Sequence, residues 1–283
     1  MTSFSYNANT SHPIDFTSSF SSLLKLPPSA PLHEAHKHPP VSLSTSTCPA
    51  HYDGLLLAGH KVLFEGEDPE HKLKGHKRRG HAISTFGTSP SFQTFLDLFT
   101  EFVTLKIAPL FPEEHAELVF QYPPTLRVQL ANCPGRTAGR LHSDSEYSPL
   151  QTHEINFWVP LTDVADTNTL YVESEPGKGD YAPVVMGNGD MAIFWGHKCR
   201  HYIVPNAGSV TRVSFDLRIC PRALRNYAAE KEDSRRGHRR PNFQEWRVVK
   251  REKDEPVTDE IREVRKRIEL HYQHLKYNCD IHN

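Results

Sequence analysis

The sequence predicts a mainly β protein with flanking helices, built as an antiparallel sandwich or barrel. Two observations carry this. Between Thr125 and Pro221, seven short runs rich in β-branched and aromatic residues follow one another: TLRVQLAN, RLHSDSEY, EINFWVPLT, NTLYVESE, APVVMGNGDMAIFWG, RHYIVPN and TRVSFDLRIC. Turn signals such as CPGR, DVADTN, EPGKGD and PNAGS separate them, and no helical pattern intervenes. A βαβ fold would need such helices. No GxGxxG or GxxxxGK[ST] run is present, and GNGD reads as a tight hairpin turn rather than a phosphate cradle.

Taken in order, residues 1–50 are rich in Ser, Thr, Pro and His. They read as a mostly irregular arm on the surface, with one short apolar patch at Leu23, Leu24 and Leu26. The basic run Lys72–His81 lacks interleaved aromatics and reads as a solvated loop. At Ser89-Pro90 a helix starts, with apolar residues at 92, 95, 96, 98, 99, 102 and 103. Pro109 and Pro112 end it, and its apolar face is expected to back a sheet. After the strands the chain turns highly charged. A last helix then places Ile261, Val264, Ile268, Tyr272 and Leu275 on one stripe, to be buried on the core or in a homodimer. The expected division is an arm over 1–85, a helix plus β core over 86–222 and a charged extension over 223–283.

The chain has 283 residues, with 33 Lys+Arg against 34 Asp+Glu. This balance argues against a nucleic-acid coat. No apolar run reaches the length of a membrane span, and the first residues lack the charged and apolar parts of a leader. Cys48, Cys133, Cys199, Cys220 and Cys279 are odd in number and form no CxxC pair. A reducing, cytoplasmic location is therefore expected.

The chemistry gathers around His142-Ser143-Asp144. Residues i and i+2 of a strand share a face, so an imidazole and a carboxylate can grip one ion. Two ligands do not complete a site, and His201, 57 residues beyond Asp144, is the best third. Two histidines and one carboxylate leave open positions, as in non-heme iron(II) oxygenases. Arg212 stands eleven residues after His201, with Ser214 on the same strand face. A guanidinium fork beside a hydroxyl suits a buried carboxylate. Gly189-Asp190 opens the strand leading to FWGHKCRH.

The order HxD … GD … H-x10-R-x-S on short strands resembles the iron(II)/2-oxoglutarate-dependent dioxygenases. The nearest subgroup is the biosynthetic hydroxylases similar to the streptomycin-biosynthesis protein and, more distantly, phytanoyl-CoA hydroxylase. The resemblance covers about a third of the chain, from Leu126 to Pro221. It implies a double-stranded β-helix, a jelly roll, with the metal at one open end. It implies that His142, Asp144 and His201 hold Fe(II), that Arg212 anchors the far carboxylate of 2-oxoglutarate with Ser214 as helper, and that O2 is the second cosubstrate. Asn156, Gln129 and Arg127 are further candidates to touch 2-oxoglutarate, although Gln129 and Arg127 read equally well as ordinary strand residues. A carboxylate at Asp144 rather than a small residue favours hydroxylation, desaturation or ring formation over halogenation.

Three residues compete for the ligand roles. His197 stands 15 residues before Arg212, longer than the family spacing. Glu146 could replace Asp144 only on a strand that stays extended. His153 falls where the next strand begins. Solvent or supporting roles suit all three, and a solvated loop suits His33, His36 and His38. Glu146, Tyr147 and Arg140 are candidates for contact with a small-molecule, amino-acid-like substrate, and the loop Glu146–Thr152 and the N-terminal arm for a pocket lid. No nucleic-acid or membrane partner is expected. The alternatives are a cupin-like metalloenzyme that does not use 2-oxoglutarate and a non-catalytic jelly-roll binding module.

Overall fold

The computed structural model describes residues 1–8, 12–24, 26–38, 90–132, 139–147, 152–225, 245–251 and 257–280. The basic run Lys72–His81, most of the loop after Tyr147 and the side chain of Leu275 lie outside the described residues.

The described residues are mainly antiparallel β with some helices. The strands are β1 (Thr2–Ser5), β2 (Glu117–Tyr122), β3 (Thr125–Gln129), β4 (Gly139–His142), β5 (Ile155–Pro160), β6 (Leu170–Val172), β7 (Ala182–Pro183), β8 (Asp190–Phe194), β9 (His201–Ile203), β10 (Arg212–Pro221) and β11 (Glu245–Lys250). The helices are α1 (Thr17–Leu23), α2 (Pro90–Phe102) and α3 (Asp259–Asp280). A seven-stranded sheet runs β1-β8-β5-β10-β2-β11, with β3 also on β10, and a four-stranded sheet runs β4-β9-β6-β7. The ten residues of β10 are long enough to pair β3 with one half and β2 with the other.

The large sheet is buried on both faces, so β5 and β10 carry apolar residues on one side and a mixed set on the other. On the outer side, Phe157, Val159, Val213, Phe215 and Leu217 join the main apolar cluster. Phe215 lies edge-on to Phe16, Phe95, Phe99 and Phe102 at 4.9–6.0 Å. α2 starts at Pro90 as expected, and its buried face of Phe92, Phe95, Leu96, Phe99 and Phe102 backs this sheet. On the inner side, a smaller cluster joins Trp158, Ala192 and Phe194 of the large sheet to Leu170, Val172 and Ile203 of the small one. The functional side chains lie in this space between the sheets.

Three strands outside the expected series appear. β2 is buried on nearly every residue, so it shows no alternation to read. β1 finds its partner β8 about two thirds of the chain away, Thr2 opposite Ile193. β11 pairs β2 from inside the charged region. The described part of residues 1–38 also departs from the expected surface arm. Phe4, Tyr6, Ile14, Phe16, Phe20, Leu23 and Leu24 are buried in the main cluster. Their spacing follows no single period because the chain crosses the sheet as strand, turn and short helix in succession. The α3 stripe docks within the chain, with Val264, Ile268 and Tyr272 buried and Ile261 packed beside them.

Phe215→Ala should remove the ring on which four others converge and cost about 3–5 kcal/mol of stability, read from urea unfolding. Val248→Ala, on the exposed face of β11, should stay within about 0.5 kcal/mol.

Candidate metal centre

His142 and His201 are direct cross-strand partners on β4 and β9, which closes their distance in sequence by strand pairing. Their rings lie 4.4 Å apart. Asp144 is not on the strand, as the strand-face argument expected. It opens a 3-10 turn, Asp144–Glu146, just beyond β4. The turn still brings its Oδ1 to 3.9 Å from His142 Nε2 and 3.8 Å from His201 Nε2. These three residues form the one candidate metal-holding group among the described residues.

The imidazoles are oriented for a metal. His142 Nδ1 lies 2.6 Å from the Arg140 carbonyl and His201 Nδ1 3.1 Å from the Cys199 carbonyl. A carbonyl only accepts, so each Nδ1 carries the proton and each Nε2 presents its lone pair toward Asp144. This is how metal-ligating histidines are usually held. The donor set of two nitrogens and a carboxylate oxygen fits Fe(II).

Asp144 is supported from three sides. Arg218 donates to it with two prongs, Nε to Oδ2 at 2.9 Å and Nη2 to Oδ1 at 3.1 Å. Asn156 Nδ2 donates to Oδ2 at 2.8 Å. The Asp144 N–H donates to the Gly196 carbonyl at 2.8 Å. Burial pushes the carboxyl up, but the Arg218 charge, then His201 and the two hydrogen-bonding side chains outweigh it, and Asp144 is held well below the usual carboxylate range. Burial also lowers His201, which favours the neutral, metal-binding ring.

A ladder of charge continues along the inner face of β10. Arg218 Nη1 reaches Asp216 at 3.4 Å, and Arg127 Nε donates to Asp216 at 3.0 Å. Arg212 ends the row. It is almost wholly buried, and its Nε and Nη1 have no hydrogen-bond partner among the described residues. Burial, then Arg127, push it down to about 9, against the pull of Asp216. The Ser214 hydroxyl, Gln129 Oε1, Asn156 Oδ1 and Trp158 Nε1 are likewise buried without partners. The register places Gln129 opposite Arg212, Arg127 opposite Ser214, Trp158 opposite Asp216 and Asn156 opposite Arg218, so all share the inner face.

The remaining sequence candidates fall as follows. Asn156 supports Asp144 through its amide, Arg127 is held by Asp216, and Gln129 Nε2 donates to the Val204 carbonyl at 2.6 Å. Arg140, Glu146 and Tyr147 come together at the rim beside His142. Arg140 Nη2 pairs with Glu146 at 3.0 Å, and the Tyr147 ring meets His142 edge-on at 5.2 Å. The turn sends Glu146 away from the ligands, and its Oε1 accepts the Ser143 N–H. His197 is buried beside Trp195, and His36 bonds to the Thr211 hydroxyl instead of lying in a solvated loop. The main omission in the sequence reading is Arg218. The alternation in RVSFDLR that puts Arg212 and Ser214 on one face extends to Asp216 and Arg218, and that signal was available.

Arg218→Gln should leave a buried carboxylate without its cation and cost the apo chain about 3–5 kcal/mol at neutral pH. A depressed carboxyl stabilises the fold above its unfolded pKa and loses that stabilisation as pH falls through its folded value. The gap between wild type and Arg218→Gln should therefore narrow toward acid, where the variant's Asp144 is protonated. Added divalent metal should narrow it at neutral pH. Melting temperature against pH, with and without Mn(II), measures both.

No family model matches the chain. The streptomycin biosynthesis protein StrG of Streptomyces griseus is 30% identical over 132 residues, covering 47% of this chain and 61% of that protein. The chain thus spans less than two thirds of this relative's length. Among solved structures, the non-heme alpha ketoglutarate dependent epimerase SnoN from nogalamycin biosynthesis is 18% identical, with a TM-score of 0.36, over 45% of this chain and 57% of its own. EvdO2 from Micromonospora carbonacea var. aurantiaca, complexed with 2-oxoglutarate, is 14% identical, with a TM-score of 0.32, over 50% and 64%. The order of the chain's motifs resembles that of the iron(II)/2-oxoglutarate-dependent dioxygenases, and its sequence relative is a streptomycin biosynthesis protein.

Proposed function

We propose that the protein is an iron(II)- and 2-oxoglutarate-dependent oxygenase that oxidises an unactivated C–H bond of a small biosynthetic metabolite, and that its two sheets are the halves of a double-stranded β-helix. The observation that carries this reading is Arg212. A guanidinium buried with two unpaired nitrogens is costly, and such a group is retained where a carboxylate completes it. It shares a sheet face with the residues that hold the His142-Asp144-His201 group.

When bound, iron and 2-oxoglutarate supply the oxidising power, by activating O2 as the cosubstrate is decarboxylated. The chain supplies the placement. His142, Asp144 and His201 hold the metal, while Arg218 and Asn156 keep Asp144 ionised and aimed. Arg212 and Ser214 receive the far carboxylate of the cosubstrate. Trp158, Leu170, Phe194 and Ile203 wall the cavity and limit water. That cavity measures about 50 Å³, room for about four waters at roughly 10–15 Å³ each. It adjoins the rings of His142 and His201, and the substrate is met at the rim beside His142, where Arg140, Glu146 and Tyr147 stand.

Anaerobic addition of Fe(II) and then 2-oxoglutarate should raise a weak visible charge-transfer band. His142→Ala, Asp144→Ala or His201→Ala should abolish it, and His197→Ala should have a milder effect. Arg212→Ala should raise the 2-oxoglutarate requirement by about two orders of magnitude or more, at roughly 1.4 kcal/mol per tenfold, with metal affinity little changed. Arg212→Lys should recover only part, because an ammonium cannot reproduce the fork. Turnover without 2-oxoglutarate, or an unaltered requirement in Arg212→Ala, would favour the cupin-like alternative.

A further inference from the structure

Two hydrogen bonds, one from the C-terminal helix and one from the residue after β8, meet on the segment that leads into β5. The Tyr272 hydroxyl, on the buried stripe of α3, donates to the His153 carbonyl at 3.2 Å. The indole N–H of Trp195 donates to the adjacent carbonyl, that of Thr152, at 3.1 Å. The ring of His271, next to Tyr272 on α3, meets Trp195 edge-on at 4.4 Å. Helix, indole and the lead into β5 are thus fastened together.

From there the path to Asp144 is short. Trp195 precedes Gly196, whose carbonyl accepts the Asp144 N–H. Gly196 also lies hard against Asn156, where an added Cβ would fall 2.5 Å from Nδ2. That Nδ2 is the atom that donates to Asp144 Oδ2. Asn156 is the second residue of β5, just after the segment that Tyr272 and Trp195 hold. Displacing Trp195 therefore shifts both the backbone and the side-chain support of Asp144, because packing this tight transmits strain.

We propose that Trp195 and Tyr272 are positioning residues for the Asp144 carboxylate, so that their two hydrogen bonds to the segment before β5, and not the apolar docking of α3, set the affinity of the site for a divalent cation. The proposal rests on the metal reading above. The hydrogen bonds of both residues run to the segment before β5, on the Asp144 side of the sheet face and not to Arg212 or Ser214, so each acts through Asp144. This gives the C-terminal extension a part in the site that burial of its apolar stripe alone does not require.

The test is Co(II) binding to the full chain, followed by visible absorption in the absence of 2-oxoglutarate. Tyr272→Phe keeps the ring and removes the hydroxyl, and Trp195→Phe keeps an aromatic and removes the N–H. Each should raise the Co(II) Kd by about tenfold, the low end of the roughly 10–100-fold that groups behind metal ligands control. Each should also change the position or intensity of the cobalt d–d bands. Val264→Ala loosens the same helix from its buried stripe but leaves both hydrogen bonds. It should lower the melting temperature while the Kd and spectrum stay as in wild type. Unchanged binding and spectra in both aromatic variants, or an equal loss in Val264→Ala, would overturn the proposal. If Trp195→Phe does not fold, Tyr272→Phe decides alone. A wild-type chain that takes up no cobalt, or holds it equally well after His142→Ala, overturns the metal reading and this inference with it.

Discussion

The two-pronged pair between Arg218 and Asp144 is the interaction around which the interior is arranged. Each charge would be costly alone in a space closed by two sheets, and together they remain affordable only with their further partners in place. Asn156 takes up part of the carboxylate, Gln121 and Asp216 take up the remaining guanidinium nitrogen, and Arg127 closes the row. Three guanidinium groups, those of Arg127, Arg212 and Arg218, then face two carboxylates along one sheet face. The positive excess sits at Arg212, the member with unpaired nitrogens. A dication bound at His142, Asp144 and His201 would raise that excess, and a dianion reaching Arg212 would reduce it. A dicarboxylate that reaches Arg212 would therefore cancel the charge that a bound dication adds.

This interior follows from how β10 is covered. A strand in an antiparallel sheet commonly turns its polar residues to water. β10 cannot do so, because α2 and the phenylalanine cluster cover one side and the small sheet covers the other. Arg212, Ser214 and Asp216 are consequently buried polar residues, and each must find a partner in the protein or in a ligand. Asp216 and Arg218 find theirs within the chain. The Arg212 Nε and Nη1 and the Ser214 hydroxyl find none among the described residues, and this contrast within one strand separates supporting polar groups from candidate binding groups.

How much of this was legible in the sequence depends on whether a residue's role is local. The shared face of Arg212 and Ser214 was readable because strand alternation carries it, and the closeness of His142, Asp144 and His201 was readable from motif spacing. The α2 start at Ser89-Pro90 and the α3 stripe were readable from helical period. The role of Gly196 was not. Its requirement comes from the approach of Asn156, forty residues earlier, and only the folded pairing of β5 with β8 creates it. Likewise β1, β2 and β11 are strands through partners that lie far away or through burial on both faces, and neither leaves an alternating pattern. Asp144 shows the opposite case. The pairing with His142 was correctly expected to be close, but a 3-10 turn achieves it, not a shared strand face.

The two ends of the chain, which look least informative by composition, converge behind the site. At one end of the charge row, the short helical segment Leu32–Lys37 lies against Thr211. The Thr211 N–H donates to the His33 carbonyl, and its hydroxyl bonds to His36 Nδ1 and accepts the Ala131 N–H. Thr211 is the residue before Arg212, so the N-terminal segment braces the strand where the unpaired guanidinium begins. At the other end, α3 braces Thr152 and His153, ahead of the strand that carries Asn156. The metal ligands and Arg212 must keep a fixed separation if one ligand is to reach both, and a displacement of either brace would alter it. A β core bounded at residues 86–222 contains every candidate ligand, but it lacks both braces. The apolar residues scattered through the first 38 positions and the stripe of α3 are therefore better understood as parts of the site's support than as appendages to it.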